Sequence, residues 1–265
     1  EAGDYSDATK PTFGIAPDQL IPVYRFNAED IVGTAGVLER LGRRVEAVLL
    51  PANLDPTLGD ISVTISPSLA AALIEALEFT QTYDYDPQCA HGLSDRLMST
   101  VAIARAIELL NLDRPETESN LNELIPQDIA RLEALTKFDG GWGWCYDGDS
   151  QPWLTAYVLL GLAKAEEAGY AVDKAVLAEA ADYLNFQLKD PIRLNNNAEV
   201  NAQAFYLYVL AENGANVRGE VVNLAAEQRG LLDPYAKSLL IMAEGGRNSA
   251  TRRTLISDLG ADVVL

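Results

Sequence analysis

Basic side chains are scarce in this sequence of 265 residues: 20 Lys and Arg stand against 39 Asp and Glu, a formal net charge of −19 at pH 7. That shortage excludes a nucleic-acid partner, because neutralising a phosphate backbone takes clustered Lys and Arg. Long apolar runs are missing too, and no window approaches the roughly 20 apolar residues of a membrane span. The first residues, Glu1-Ala2-Gly3-Asp4, have neither the basic start nor the apolar stretch of a signal peptide. With no initiator Met, the sequence reads as an excised or processed piece. Histidine occurs once and cysteine twice, and two cysteines do not fix a redox compartment. What is present is ordinary for a globular protein: a hydrophobic share of 48%, in a chain long enough to bury a large core.

The pattern changes at Ser66. Before it, Leu20 to Phe26 and Val45 to Leu50 are short apolar runs bounded by Pro, Gly and charge. Ile61, Val63 and Ile65 alternate with Ser62, Thr64 and Ser66, the period of a half-buried strand. Residues 1–65 therefore read as a few β-strands with long connections. From Ser66-Pro67 onward almost everything is helical, with Ser66 as N-cap and Pro67 at the first helical position. The candidate helices are about 67–81, 90–111, 126–137, 152–168, 174–188, 198–212, 217–228, 233–244 and 249–259, separated by breakers such as Asp86-Pro87, Arg114-Pro115, Gly140-Gly141 and Asp190-Pro191. Some of them are apolar nearly all round, as at Trp153 to Leu160 and Phe205 to Leu210, while others carry charge on one face. Buried and amphipathic helices in alternation suit two concentric layers, an α/α toroid. They also suit a layered helical bundle, and periodicity leaves both open.

Two segments hold both cysteines and the histidine: Gln88-Cys89-Ala90-His91-Gly92 and Gly140-Gly141-Trp142-Gly143-Trp144-Cys145-Tyr146. Around them several stretches resemble bacterial alpha-2-macroglobulin proteins. Ala28 to Gly36 resembles the segment just before their thioester domain, and Ile61 to Leu69 the strand leading into its first helix. Tyr83-Asp84-Tyr85, Cys89-Ala90 and Leu93 to Leu97 fall where the family reads Tyr-Pro-Tyr, Cys-x-Glu-Gln and a following helix. Phe138 to Trp144 with Trp153 to Leu159 resembles the glycine–aromatic loop and the next inner helix. The resemblance runs from about residue 20 to the end. It implies a mainly α chain, with residues 66–265 as an α/α toroid of the thioester-domain kind, incomplete here. Residues 1–65 would then be a β-rich segment of a flanking macroglobulin or CUB-like domain. It further implies a protease-trapping or defence protein of the periplasm or cell surface. The partners would be target proteases and the remaining macroglobulin domains of the parent, with no enzymatic turnover.

One departure governs the chemistry. In the family a Cys thiol and the acyl group of a Gln three residues later form an internal thioester. Here Cys89 stands at the cysteine position, His91 at the Glu position and Gly92 at the Gln position, and glycine offers no acyl group. Complement-type relatives place a catalytic His where the resemblance puts Thr155. Trp142, Trp144, Tyr146 and Trp153 correspond to the aromatic wall that shields the cysteine site. Three readings of Cys89, His91 and Cys145 stay open at this point. Cys89 is a small buried hydrophobe in a degenerate site; or it forms a disulfide with Cys145, whose loop is its neighbour in the family and which suits an extracytoplasmic location; or the three residues bind Zn²⁺, assisted by Asp86 or Asp147. The last would make the chain a zinc-dependent toroid enzyme, with motifs similar to those of lanthipeptide cyclases but in reversed order. No other cofactor is expected. Asp139, Asp147 and Asp149 lack the spacing and closing Glu of an EF-hand.

Overall fold

A computed structural model describes residues 32–38, 42–50, 60, 61, 63, 65, 89–145, 148–246 and 248–262. The chain divides into two units, Glu1–Thr64 and Ile65–Leu265. In the first, the described stretches have no regular secondary structure. Thr34 Oγ1 donates to Glu46 Oε2 at 2.7 Å, and Arg44 Nε to Glu46 Oε1 at 2.5 Å. Among the described residues no strand occurs at Val45 to Leu50 or at Ile61, Val63 and Ile65, and the last three are all exposed. Alternation supplies a strand's two faces, but a strand persists only where a neighbouring edge takes its N–H and C=O groups. No described segment offers that edge. The run Leu20 to Phe26 and the helix expected at 67–81 lie outside the described residues.

The described residues of the second unit are mainly helical: α1 (Ala90–Leu110), α2 (Pro115–Ala134), α3 (Pro152–Glu167), α4 (Lys174–Gln187), a 3-10 turn (Pro191–Arg193), α5 (Asn197–Glu212), α6 (Arg218–Glu227), α7 (Pro234–Ala243) and α8 (Ala250–Asp262). The starts follow local chemistry. Pro115, Pro152 and Pro234 open their helices, where a missing N–H costs nothing. Asp173, Asn196 and Asp233 each accept a first-turn N–H. One start differs by more than a residue or two from expectation. α2 starts eleven residues before the predicted 126, because Pro115 initiates the helix rather than breaking it, and Pro126 lies inside it. Pro126 and Asn122, whose carbonyl the proline ring deprives of a partner, both face solvent, so water replaces the lost bond.

The odd-numbered helices form one row, α1 against α3, α3 against α5 and α5 against α7, and each even-numbered helix packs outside the odd one before it. Burial follows the layers. Inner α3 buries Leu154, Thr155, Ala156, Val158, Leu159, Leu160, Leu162 and Ala165, whereas outer α4 buries only Leu177, Ala180 and Leu184. This alternation is that of an α/α toroid. Among the described residues the first and last inner helices, α1 and α7, share no substantial packing, so the row is an arc.

The inner helices are parallel. Asp95 and Tyr157 meet near the N-terminal ends of α1 and α3, and Arg105 and Glu167 near the C-terminal ends. At the C-terminal end Arg105 Nη1 lies 2.6 Å from Glu167 Oε1 and Lys164 Nζ 3.0 Å from Glu167 Oε2, while Lys164 also pairs with Glu212 of α5. Hydrogen bonds from Arg105 and Lys164 hold the Glu167 carboxyl down at about 2 from an ordinary 4.5. A carboxylate whose folded value is depressed stabilises the fold above its unfolded value and stops doing so as pH falls through the folded one. Glu167 is half exposed, so its contribution is under about 1 kcal/mol. Thermal melts of wild type and Glu167→Gln should therefore differ at pH 7, converge between about pH 4.5 and 2, and differ less in high salt. A difference that persists at pH 2 contradicts this assignment.

Candidate functional site

The N-terminal end of the inner row holds the residues that the sequence singled out. Its scaffold is the loop between α2 and α3. Gly140 has φ of +81°, a conformation glycine adopts without strain, and a Cβ there would sit 2.5 Å from the carbonyl oxygen of Glu179 on α4. A Cβ on Gly143 would sit 2.7 Å from the carbonyl oxygen of Gly148. The glycines thus let the loop fold onto itself and onto α4. Asp139 Oδ1 accepts from the Gly141 N–H at 3.1 Å and from Ser150 Oγ at 2.7 Å. That bracing accounts for Asp139 without a cation.

Trp142 anchors the loop from below. It is fully buried, and its indole Nε1–H donates to the Leu132 carbonyl of α2 at 2.8 Å. Its backbone N–H donates to Thr155 Oγ1 of α3 at 2.9 Å. The buried Thr155 hydroxyl is thus a loop acceptor at the inner-helix position that the resemblance links to a catalytic His. Beneath the same end, Arg96 of α1 makes a two-pronged ion pair with fully buried Asp128 of α2, Nε to Oδ2 at 2.8 Å and Nη2 to Oδ1. Asp128, fully buried, would be an uncompensated charge without the guanidinium that Arg96 presents to it.

Cys89 is the N-cap residue of α1 and Cys145 follows Trp144 in the loop. The two pair as an isolated antiparallel bridge, with Ala90 N–H donating to the Trp144 carbonyl at 3.0 Å. Their sulfurs are bonded at 2.00 Å, joining positions 56 residues apart. In this bonded form neither sulfur is a thiolate. The zinc set of Cys89, His91 and Cys145 thereby loses two of its three donors, and no cluster of three or more His, Cys, Asp or Glu suited to a metal occurs among the described residues. Gly92 is buried in the first turn of α1, and His91 beside it is exposed.

His91 opens a row of rings. It meets Trp144 edge-on with centroids 5.5 Å apart, Trp144 stacks on Trp153 at 6.5 Å, and Trp153 stacks on Tyr157 at 5.5 Å and leans on Phe205 of α5 at 6.1 Å. Trp144 is 52% exposed and Trp153 47%, so these two stand at the surface beside the cysteines while Trp142 is sunk in the core. Tyr146, Asp147, Asp86 and Gln88 lie outside the described residues. Tyr157 and Phe205 are members of the row that sequence reading missed. Tyr157 lies one helical turn from Trp153, a spacing that puts both on one face and could have revealed it. Phe205 comes from another helix and carries no such signal. Tyr157 is held in place by donating its hydroxyl proton to Asp95 Oδ1 at 2.8 Å.

No helix among the described residues is long and apolar enough to cross a membrane. No protein-family model matches the chain. It is 40% identical over 102 residues to an alpha-2-macroglobulin of Thermotoga maritima, a match covering 38% of this chain and 6% of that protein. It is 30% identical over 105 residues to an alpha-2-macroglobulin of Escherichia coli strain K12, covering 39% and 6%. The chain therefore matches only a small part of the length of these curated relatives. In fold it is similar to native E. coli alpha-2-macroglobulin spanning domain MG7 to the C-terminus, with a TM-score of 0.58 and 23% identity over 73% of this chain and 31% of that one. Over more than a third of its sequence, and in the fold of its helical unit, the chain is similar to bacterial alpha-2-macroglobulins.

Proposed function

We propose that this chain is the thioester-domain region of an alpha-2-macroglobulin-like protease-trapping protein, serving as a structural and interaction module that forms no internal thioester and turns over no substrate. The observation that carries the reading is the fate of Cys89. Its sulfur is bonded to Cys145, and the residue three positions on is Gly92, which has no acyl group to offer. Trapping by closure of a whole molecule around a protease does not require a covalent bond, so it survives this loss. The target proteases and the other macroglobulin domains are partners of the parent protein. A periplasmic or cell-surface setting fits a disulfide at this position, since reducing compartments do not keep such bonds.

The test is intact mass together with methylamine, a small amine that opens acyl thioesters. Expected is a mass two hydrogens below the fully reduced chain and no methylamine incorporated. A mass one ammonia below it, or uptake of one methylamine, would overturn the proposal. Metal analysis of the reduced protein addresses the zinc reading, and stoichiometric zinc lost in Cys145→Ser would restore it.

A further inference from the structure

The bond that occupies Cys89 has chemistry of its own. We infer that Cys89–Cys145 is a thiol-capture site, at which a small external thiol attaches to Cys145 and Cys89 leaves as a thiolate. Three features carry this. The first is unequal access: Cys145 is exposed, whereas Cys89 is buried at 8% exposure, so an incoming sulfur reaches Cys145. The second is the position of the leaving sulfur. Cys89 is the N-cap of the 21-residue α1, and no side chain caps that end. The N–H groups of a first turn have no acceptor within the helix. That of Ala90 is taken by the Trp144 carbonyl, and those of His91 and Gly92 remain to receive a charge at the N-cap sulfur. A thiolate at a helix N-terminus is stabilised, and a better-stabilised thiolate leaves faster in exchange. The third is the surroundings: the first turn has no acidic residue to oppose a negative sulfur.

The step balances without an oxidant. A small thiolate attacks Cys145 Sγ, a new sulfur–sulfur bond forms there, the Cys89–Cys145 bond breaks, and its electron pair goes to Cys89 Sγ. Trp144 and Trp153 stand up half exposed beside the site, which favours a small thiol over a flat protein surface. The chain would then retain covalent capture at this cysteine position, through sulfur exchange in place of acyl transfer. The chemistry does not depend on protease trapping by the parent.

The experiment uses the oxidised 265-residue chain with limiting glutathione, an iodoacetamide quench and peptide mapping. Expected is glutathione on the Cys145 peptide and carbamidomethyl on Cys89. Glutathione chiefly on Cys89, an unchanged disulfide, or two alkylated cysteines with no adduct would each overturn the inference. A second arm probes the helix end: His91→Glu, which places a carboxylate in the first turn, should exchange about two- to fivefold more slowly than the neutral His91→Gln at equal helicity. Equal rates in the two variants would sink the role of the N-terminus. Methylamine uptake gives a different adduct, so failure of this inference is distinguishable from failure of the thioester-free reading.

Discussion

Trp142→Ala is expected to destabilise the helical unit by about 3–5 kcal/mol, the range for deleting a large buried ring. The indole is completely enclosed, so truncation leaves a cavity that neighbouring helices can only partly fill. A second loss comes with it. The Leu132 carbonyl loses the indole proton it accepts at 2.8 Å but keeps the Leu135 N–H at 3.1 Å, so this second loss is about 0.5–1.5 kcal/mol. For a unit of this size each kcal/mol shifts the melting midpoint by roughly 2–4 °C, so a melt followed by circular dichroism should fall by roughly 10 °C or more. Trp142→Phe is the intermediate case, because it keeps one buried ring and loses the donor with the other. Its midpoint should lie between wild type and Trp142→Ala. A Trp142→Ala midpoint within the error of wild type would show that the loop does not depend on this anchor.

Reducing Cys89–Cys145 is the other large perturbation. The bond closes a loop across a sequence separation of 56, for which the chain-entropy estimate gives about 4 kcal/mol of constraint on the unfolded state. In the folded state that bond, with the Ala90 to Trp144 hydrogen bond, joins the start of α1 to the α2–α3 loop. Reduction should lower the melting midpoint by roughly 8–16 °C at the same 2–4 °C per kcal/mol, and change the fluorescence of half-exposed Trp144. The double substitution Cys89→Ser with Cys145→Ser should reproduce the lower midpoint and abolish the response to reductant. A double variant as stable as the oxidised chain would mean that the bridge carries no stabilising role.

The helical unit was legible because its punctuation is chemical. Asp173, Asn196, Asp233 and the opening prolines mark starts by mechanisms that act within one turn, and the structure places helices within a residue or two of those marks. α2 was misjudged for the same local reason, since one proline can start a helix or stop it, and which occurs depends on whether the following residues have a core to bury against. Leu121 and Ile125 have one. The alternation at Ile61, Val63 and Ile65 meets no ladder among the described residues, because a strand is a property of a pair, and the partner edge is not encoded in the strand itself. At the site, the residue types were visible but their company was not. Nothing in the sequence between Cys89 and Cys145 fixes their meeting, which only the resemblance implied. Likewise the division of Trp142 and Trp144 into a core anchor and a surface ring follows from which way the loop turns at its glycines, while Trp153 joins the surface rings from α3.

The arc of helices has a consequence for how the unit comes apart. Each inner–outer pair packs chiefly on the pairs next to it in sequence, so the arrangement behaves as a short one-dimensional lattice. α3 and α5 have an inner neighbour on each side, and α7 with its outer partner α8 has one only among the described residues. Cohesion is therefore graded among the described residues: α3 and α5 are held on both sides, the α1 end of the arc is tied to the α2–α3 loop by the sulfur bridge, the α7–α8 end has no such tie, and folding nucleated at α3 and α5 can spread in both directions.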